Sequence, residues 1–304
     1  MELTSSAETL AAALASVGYL ADDETALTLW LALKLERPLL VEGPAGVGKT
    51  ELARAAGRAL GRETIRLSCY EGLDEAKALY EWDYAKQMLY TQLVRDSLGR
   101  ATAAAPTVAD AVDIVSGSAA SFFDRRFLVA RPLLQALESA APSVLLIDEV
   151  DRADPEFEAF LLELLADMAI TIPELGRIEA KHPPLVVLTT NGTRDMTEAL
   201  RRRCLHAFLD YPAPSRELAI LRSRLPGIDE RLAAQITTFV ERLRALDLKK
   251  SPSIGEAIDW ARALILMSKS ELDPALVKST LGVLLKHADD RAAVESRLGE
   301  LVGA

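Results

Sequence analysis

The sequence predicts a parallel α/β sheet flanked by helices over residues 1–210, followed by a smaller all-helical lid domain over residues 211–304. Three observations carry this reading. Short, continuously apolar runs ("PLLV", "VLLID", "PLVVLTT") recur through the first two thirds of the chain, as strands buried on both faces of a parallel sheet do. Segments of helical periodicity separate them, the alternation that builds α/β layers. After "LDYPAPS" only helical pattern continues, interrupted at "LPGID", "KKSPSIG" and "LDP", which places the boundary near Tyr211.

In chain order, residues 7–36 carry helical spacing with little turn chemistry. "RPLLVEG" is a strand closed by glycine, "ELARAAGRAL" a helix and "ETIRLSCY" a second strand. Residues 71–98 are charged, aromatic-rich and mostly helical in pattern. The stretch from Ala101 to Phe127 mixes loop and helix without clear boundaries. "PSVLLIDEV" is a buried strand ending in acids. "DPEFEAFLLELLAD" is an amphipathic helix, with Asp154 suited to cap it and Pro155 to its first position. "MAITIPELGRIEA" has strand–turn–strand character, and "PPLVVLTTN" is another buried strand.

Half of the 304 residues are apolar, enough for a sizeable core, and the net charge is −10. An acidic surface repels phosphate backbones and disfavours avid non-specific nucleic-acid binding. Cys69 and Cys204 stand far apart, and His182, His206 and His287 are scattered, so no metal-ligand spacing is present. Two unpaired thiols, an acidic start without a basic signal-peptide region and no apolar run long enough to span a bilayer lead to an expected cytoplasmic location.

The chemistry concentrates at strand ends. Gly43, Gly48, Lys49 and Thr50 fit G-x-x-x-x-G-K-[ST]. Glycines let backbone N–H groups turn toward a polyphosphate, and the following helix presents its positive end to the same anion. Lys49 reaches the β- and γ-phosphates and the Thr50 hydroxyl can ligate Mg²⁺. The plain alternative, a chance match in a glycine-containing turn, does not explain the strand before and the helix after. The expected cradle for ATP is Gly43, Pro44, Ala45, Gly46, Val47, Gly48, Lys49, Thr50 and Glu51. Asp148 at the next strand end is expected to hold Mg²⁺, and Glu149 to deprotonate an attacking water. Asp151 and Asp154 read as loop and helix-cap residues. Thr189, Thr190 and Asn191 end a further strand. Asn191 can bond the γ-phosphate or hold the water, although Asn-Gly is also a favoured turn pair. Arg201, Arg202 and Arg203 are either a solvated basic face, an arginine finger offered to a neighbouring copy, or a nucleic-acid contact.

Together these parts resemble the AAA+ ATPases, a P-loop NTPase fold. "GPAGVGKT" is similar to Walker A, "VLLIDE" to Walker B, "TTN" to sensor 1 and "EALRRRC" to the arginine-finger region, with Arg203 the best match and Arg202 the second. "IDEVDRADPEFEAFLLELLADMAITIPELG" and "TTNGTRDMTEALRRRCLHAFLDYP" resemble the MoxR branch, and within it the subgroup accessory to aerobic carbon monoxide dehydrogenase maturation. The resemblance covers most of residues 20–270. It implies a chaperone-like ATPase that forms rings, usually hexamers. It also implies a partner with a von Willebrand factor A domain and a client such as a molybdenum hydroxylase whose metal cofactor it helps mature. Hairpins and helical inserts in such proteins face the pore; Tyr80, Trp82 and Tyr84 are the candidate contact residues, the alternative being aromatics packed inward. One departure stands out: where a sensor 2 arginine is common, this chain has Gly255, with Arg262 further along.

Other functions remain open on sequence alone. A nucleic-acid motor or loader shares the architecture. A small-molecule kinase would use the same loop without a hydrolytic glutamate. A nucleotide-gated scaffold would turn over little.

Overall fold

The computed structural model describes residues 4–110 and 123–302. Five parallel strands form the central sheet: β1 (Leu39–Glu42), β2 (Thr64–Ser68), β5 (Val144–Asp148), β8 (Leu185–Thr190) and β9 (Leu205–Phe208), in the spatial order β2-β5-β8-β1-β9. Alternate residues enter two different cores. Leu40, Leu145, Ile147, Val186 and Leu188 face the helices Pro132–Leu137 and Pro155–Asp167. Leu39, Val41, Val144, Leu146 and Val187 face the helices Ala7–Ser16, Asp23–Leu35 and Lys49–Leu60. Burial on both sides is why β1, β5 and β8 read as near-continuous apolar runs.

Two short antiparallel pairs flank the sheet. β3 (Tyr80–Trp82) pairs with β4 (Leu128–Ala130), and β6 (Ala169–Ile172) with β7 (Gly176–Glu179). The second is the hairpin that the sequence predicts around Pro173. The first replaces part of the helical pattern expected over 71–98: a short helix Glu75–Leu79 runs into β3, and a long helix Tyr84–Ala103 follows. Trp82 turns inward, edge-on to Tyr80 at 5.9 Å and to Phe123 at 5.3 Å. Tyr84 is exposed, as are Met88, Leu89 and Leu93 on the same helix. The candidate contact residues therefore divide, with Trp82 serving the core. Of the mixed segment expected over 101–127, residues 111–122 lie outside the described residues.

From Pro214 onward the chain is helical, with helices Pro214–Arg224, Glu230–Arg244, Ile254–Leu266 and Pro274–Leu284 around their own core. Phe239 and Trp260 lie 5.4 Å apart at its centre, and the Trp260 indole N–H donates to the Thr280 hydroxyl at 2.8 Å. Arg244 ties this unit to the linker: its guanidinium pairs with buried Glu217 and lies 4.5 Å over the Tyr211 ring. Among the described residues no helix is long and apolar enough to cross a membrane. Cys69 and Cys204 are both buried, and burial pushes each thiol up to about 12, so neither is a thiolate at neutral pH.

Candidate active site

A cavity of about 510 Å³ opens where the carboxyl ends of the strands meet the lid, the place where open α/β sheets bind ligands. Its floor is the loop between β1 and the helix Lys49–Leu60. Gly43 packs so closely that a Cβ there would lie 1.9 Å from the Leu209 carbonyl oxygen. Gly46 sits at φ +80° under the lid, where a Cβ would lie 2.2 Å from that of Ser253. The N–H groups of Gly46, Val47 and Gly48 find no acceptor among the described residues. These are the features of a built anion cradle: bare backbone, free donors and a helix N-terminus behind them.

Lys49 is buried and reaches back across this loop. Its ammonium donates to the carbonyls of Gly43 (2.6 Å) and Pro44 (2.7 Å) and to Asn191 Oδ1 (2.8 Å). Burial lowers its pKa, opposed by the charges of Asp151, Asp148 and Glu149. Thr50 and Glu51 follow on the first turn. Thr50 Oγ1 donates to Asp148 Oδ1 at 2.8 Å, and Thr189 Oγ1 donates to the same oxygen at 2.7 Å. Arg66 on β2 directs Nε (3.0 Å) and Nη2 (2.6 Å) to Asp148 Oδ2. Burial alone would raise the Asp148 carboxyl; the bonds from Thr189, Thr50 and Arg66 outweigh it and hold the group below the ordinary aspartate value.

Glu149 lies in left-handed backbone, φ 57°, an unusual conformation for a side-chain-bearing residue. Its N–H donates to Thr189 Oγ1 at 2.9 Å, so one hydroxyl orients both acids. Its carboxylate accepts from Arg152 at 2.9 Å, and Asn191 Nδ2 stands 3.5 Å from Oε1. Lys49, Thr50, Asp148, Glu149 and Asn191 thus converge on one cavity wall.

Arg202 and Arg203 do not join them. Neither lines this cavity. Arg202 is exposed and pairs with Glu198, while Arg203 Nη1 contacts the Leu162 carbonyl. Arg37 caps their helix from below, donating to the carbonyls of Arg202 (2.7 Å) and Arg203 (3.3 Å), a favourable place for a cation.

The lid closes the other side. Gly255 lines the cavity beside Ile254 at the start of a helix whose N-cap Ser253 forms a capping box with Glu256. At the place expected for a sensor 2 arginine there is a helix N-terminus. Arg262 also lines the cavity, paired with Asp259 at 3.3 Å. Two further lid arginines, Arg216 and Arg224, reach Asp22 (2.6 Å) and Glu51 (2.8 Å).

Sequence reasoning missed several of these residues. Asp151, expected only as a loop residue, is buried and orients the site: its Oδ2 accepts from Asn191 N (3.2 Å), Thr193 N (3.0 Å) and Thr193 Oγ1 (2.6 Å). Asp154 occupies the N-cap position, but its side chain accepts from Gly72 N at 3.3 Å rather than capping its own helix. Arg66 left a faint signal, a charge in the middle of the strand "TIRLS". Arg216 and Arg224 left none.

Two outcomes follow from this geometry. Gly46→Ala forces a side chain into left-handed backbone, a penalty of about 1–2 kcal/mol, and pushes Ser253 aside. Thermal unfolding is expected to fall by about 2–4 °C, with weaker binding of a fluorescent ATP analogue. Separately, Asp148, Asp151 and Glu51 all titrate below their ordinary values. In each, burial raises the pKa, but hydrogen bonds outweigh it: from Thr193 and the Asn191 amide at Asp151, and from Arg224 and Arg58 at Glu51. Unfolding therefore takes up protons in acid. The stability these groups contribute is complete above about pH 5 and is lost as pH falls below about 4, through their folded pKa values. A melting temperature followed against pH checks this.

Comparison with known proteins agrees with this architecture. Residues 38–204, more than half of the chain, match the AAA domain of the dynein-related subfamily. The chain is 26% identical over 253 residues to the gas vesicle ATPase GvpN of Ancylobacter aquaticus, covering 79% of this chain and 65% of that protein. It is 22% identical over 293 residues to the protein NorQ of Paracoccus denitrificans, covering 94% and 93%. A mutant RuvB of Thermotoga maritima shares the fold, with a TM-score of 0.51 at 18% identity over 91% of this chain and 75% of that one. The chain belongs to the dynein-related subfamily of AAA domains and is an AAA+ ATPase.

Proposed function

We propose that this ATPase is a ring-forming remodeler of protein complexes, expected to be a hexamer, that assists maturation or metal-cofactor insertion of a client enzyme. A partner with a von Willebrand factor A domain and a client of the molybdenum hydroxylase class complete the reading, which rests on the sequence resemblance. The lid's separate core supports a division of the chain at residues 210 and 211.

Within this reading the cradle from Gly43 to Glu51 binds the triphosphate, and Lys49 exchanges its carbonyl partners for the β- and γ-phosphate oxygens. Thr50 and Asp148 would hold Mg²⁺, whose charge offsets that of the phosphates. Their two oxygens already stand 2.8 Å apart, which suits two adjacent ligands of one ion whose remaining positions phosphate and water would fill. Glu149 takes a proton from a water held by Asn191; the water oxygen bonds to the γ-phosphorus and ADP departs. Arg203, or Arg202 beside it, stabilises the transition-state charge in an adjoining copy.

The observation that carries the ring is the separation of parts: hydrolytic acids line the cavity while the arginine helix stands outside it. The test uses the Glu149→Gln protein with ATP as bait in its native host. Recovery of a von Willebrand factor A domain protein and a metalloenzyme precursor, both released by ADP, is expected. ATPase stimulation by DNA without any such partner would replace this reading with a nucleic-acid motor.

A further inference from the structure

We infer that Glu158 and Arg194 are positioning residues that fix the Arg201–Arg203 helix to the nucleotide site of its own subunit, and so set where those arginines stand for the next one. This rests on the reading above that Arg203 or Arg202 serves an adjoining copy.

Glu158 lies on the inward face of the helix Pro155–Asp167 among Phe157, Leu161, Leu164 and Leu165, and is fully buried. An isolated carboxylate would not persist there. One oxygen forms an ion pair with the Arg194 guanidinium, and the other accepts the Thr197 N–H at 2.9 Å. Well-packed apolar residues often replace such buried pairs at no loss of stability, so stability alone does not account for this one. What it defines is geometry. Arg194 Nη2 also donates to the Ala153 carbonyl at 2.7 Å, in the loop that follows the acids Asp148 and Glu149. Thr197 is the N-cap of the helix Glu198–Arg203.

The neighbouring contacts extend the same pattern. Upstream, Asp151 holds Asn191 and Thr193. Downstream, Arg203 reaches the Leu162 carbonyl, one turn beyond Glu158 on the same helix. Asn191, Thr193, Arg194, Thr197 and Arg203 thus each contact residues 151–162, directly behind the hydrolytic acids, while Arg37 and the Arg201–Glu42 pair hold the arginine helix from the side of β1. A displacement at the strand tips moves the arginines with it.

Glu158→Gln keeps an acceptor for Thr197 and removes the charge facing Arg194. Arg194→Ala removes the bridge from its partly exposed end. Both are expected to bind a fluorescent ADP analogue within about twofold of wild type and to lose about 10- to 100-fold in kcat, the range for misplacement remote from the chemistry. The decisive arm mixes each variant with Lys49→Ala protein, which cannot use nucleotide but offers intact arginines; activity is expected to recover. The control mixes Arg203→Ala with Lys49→Ala. Recovery in the control but not with Glu158→Gln or Arg194→Ala overturns the positioning role and leaves the shared-site reading intact. Nucleotide affinity falling in step with kcat, or loss of the folded ring in both variants, also overturns it. Failure of the control removes the shared-site reading and this inference together.

Discussion

Arg203→Ala is expected to lower kcat by about 10³- to 10⁵-fold, the range for an arginine that meets transition-state charge, while ATP binding in the same subunit is retained. The split follows from placement. Among the described residues the Arg203 guanidinium hydrogen-bonds to the Leu162 carbonyl, and it lies outside the cavity. Truncating it leaves the loop, Lys49 and both acids in place. A residue that served its own site would weaken nucleotide affinity as well. Arg202→Ala provides the internal comparison. Arg202 is tethered to Glu198 four residues earlier on the helix surface, and its removal is expected to matter less. Single-turnover hydrolysis measured beside equilibrium binding separates the two effects.

Glu149→Gln is expected to lower kcat by about 10²- to 10⁴-fold, the contribution of a positioned general base, with ATP held as tightly as before. Gln keeps the hydrogen bond from Arg152 and the backbone bond to Thr189 but cannot take a proton. Asp148→Asn is a different lesion. Asp148 gathers Thr50, Thr189 and Arg66 on its two oxygens, so a carboxamide there disturbs three partners and the proposed Mg²⁺ ligand at once. The Glu149 variant is therefore the cleaner trap: filter binding should find ATP intact on the protein after wild type has converted it.

What the sequence disclosed follows from how local each feature is. The cradle was legible because its glycines, lysine and threonine act through consecutive backbone. β1, β5 and β8 were legible because burial on both faces leaves no polar residue inside the run. β9 was not: it is a four-residue edge strand in which only Ala207 is buried and Phe208 is exposed. β3 was hidden for a related reason, being three residues set between charged helices. The residues that orient the site escaped because their partners are distant in sequence. Arg66 meets Asp148 across 82 positions and Asp151 meets Thr193 across 42. An acid that pairs so far away looks, in one dimension, like an ordinary loop acid. The arginine run kept its ambiguity for a further reason, since the role proposed for it depends on a surface of another copy.

The central claim is that water attacks ATP in a cavity completed by an arginine from an adjoining copy. Specific ATPase activity measured against protein concentration tests it most directly. Activity per subunit is expected to be negligible in dilute solution, to rise steeply through assembly and to plateau once rings have formed, with Arg203→Ala flat throughout. Full activity per subunit at concentrations where the protein is a monomer would contradict it.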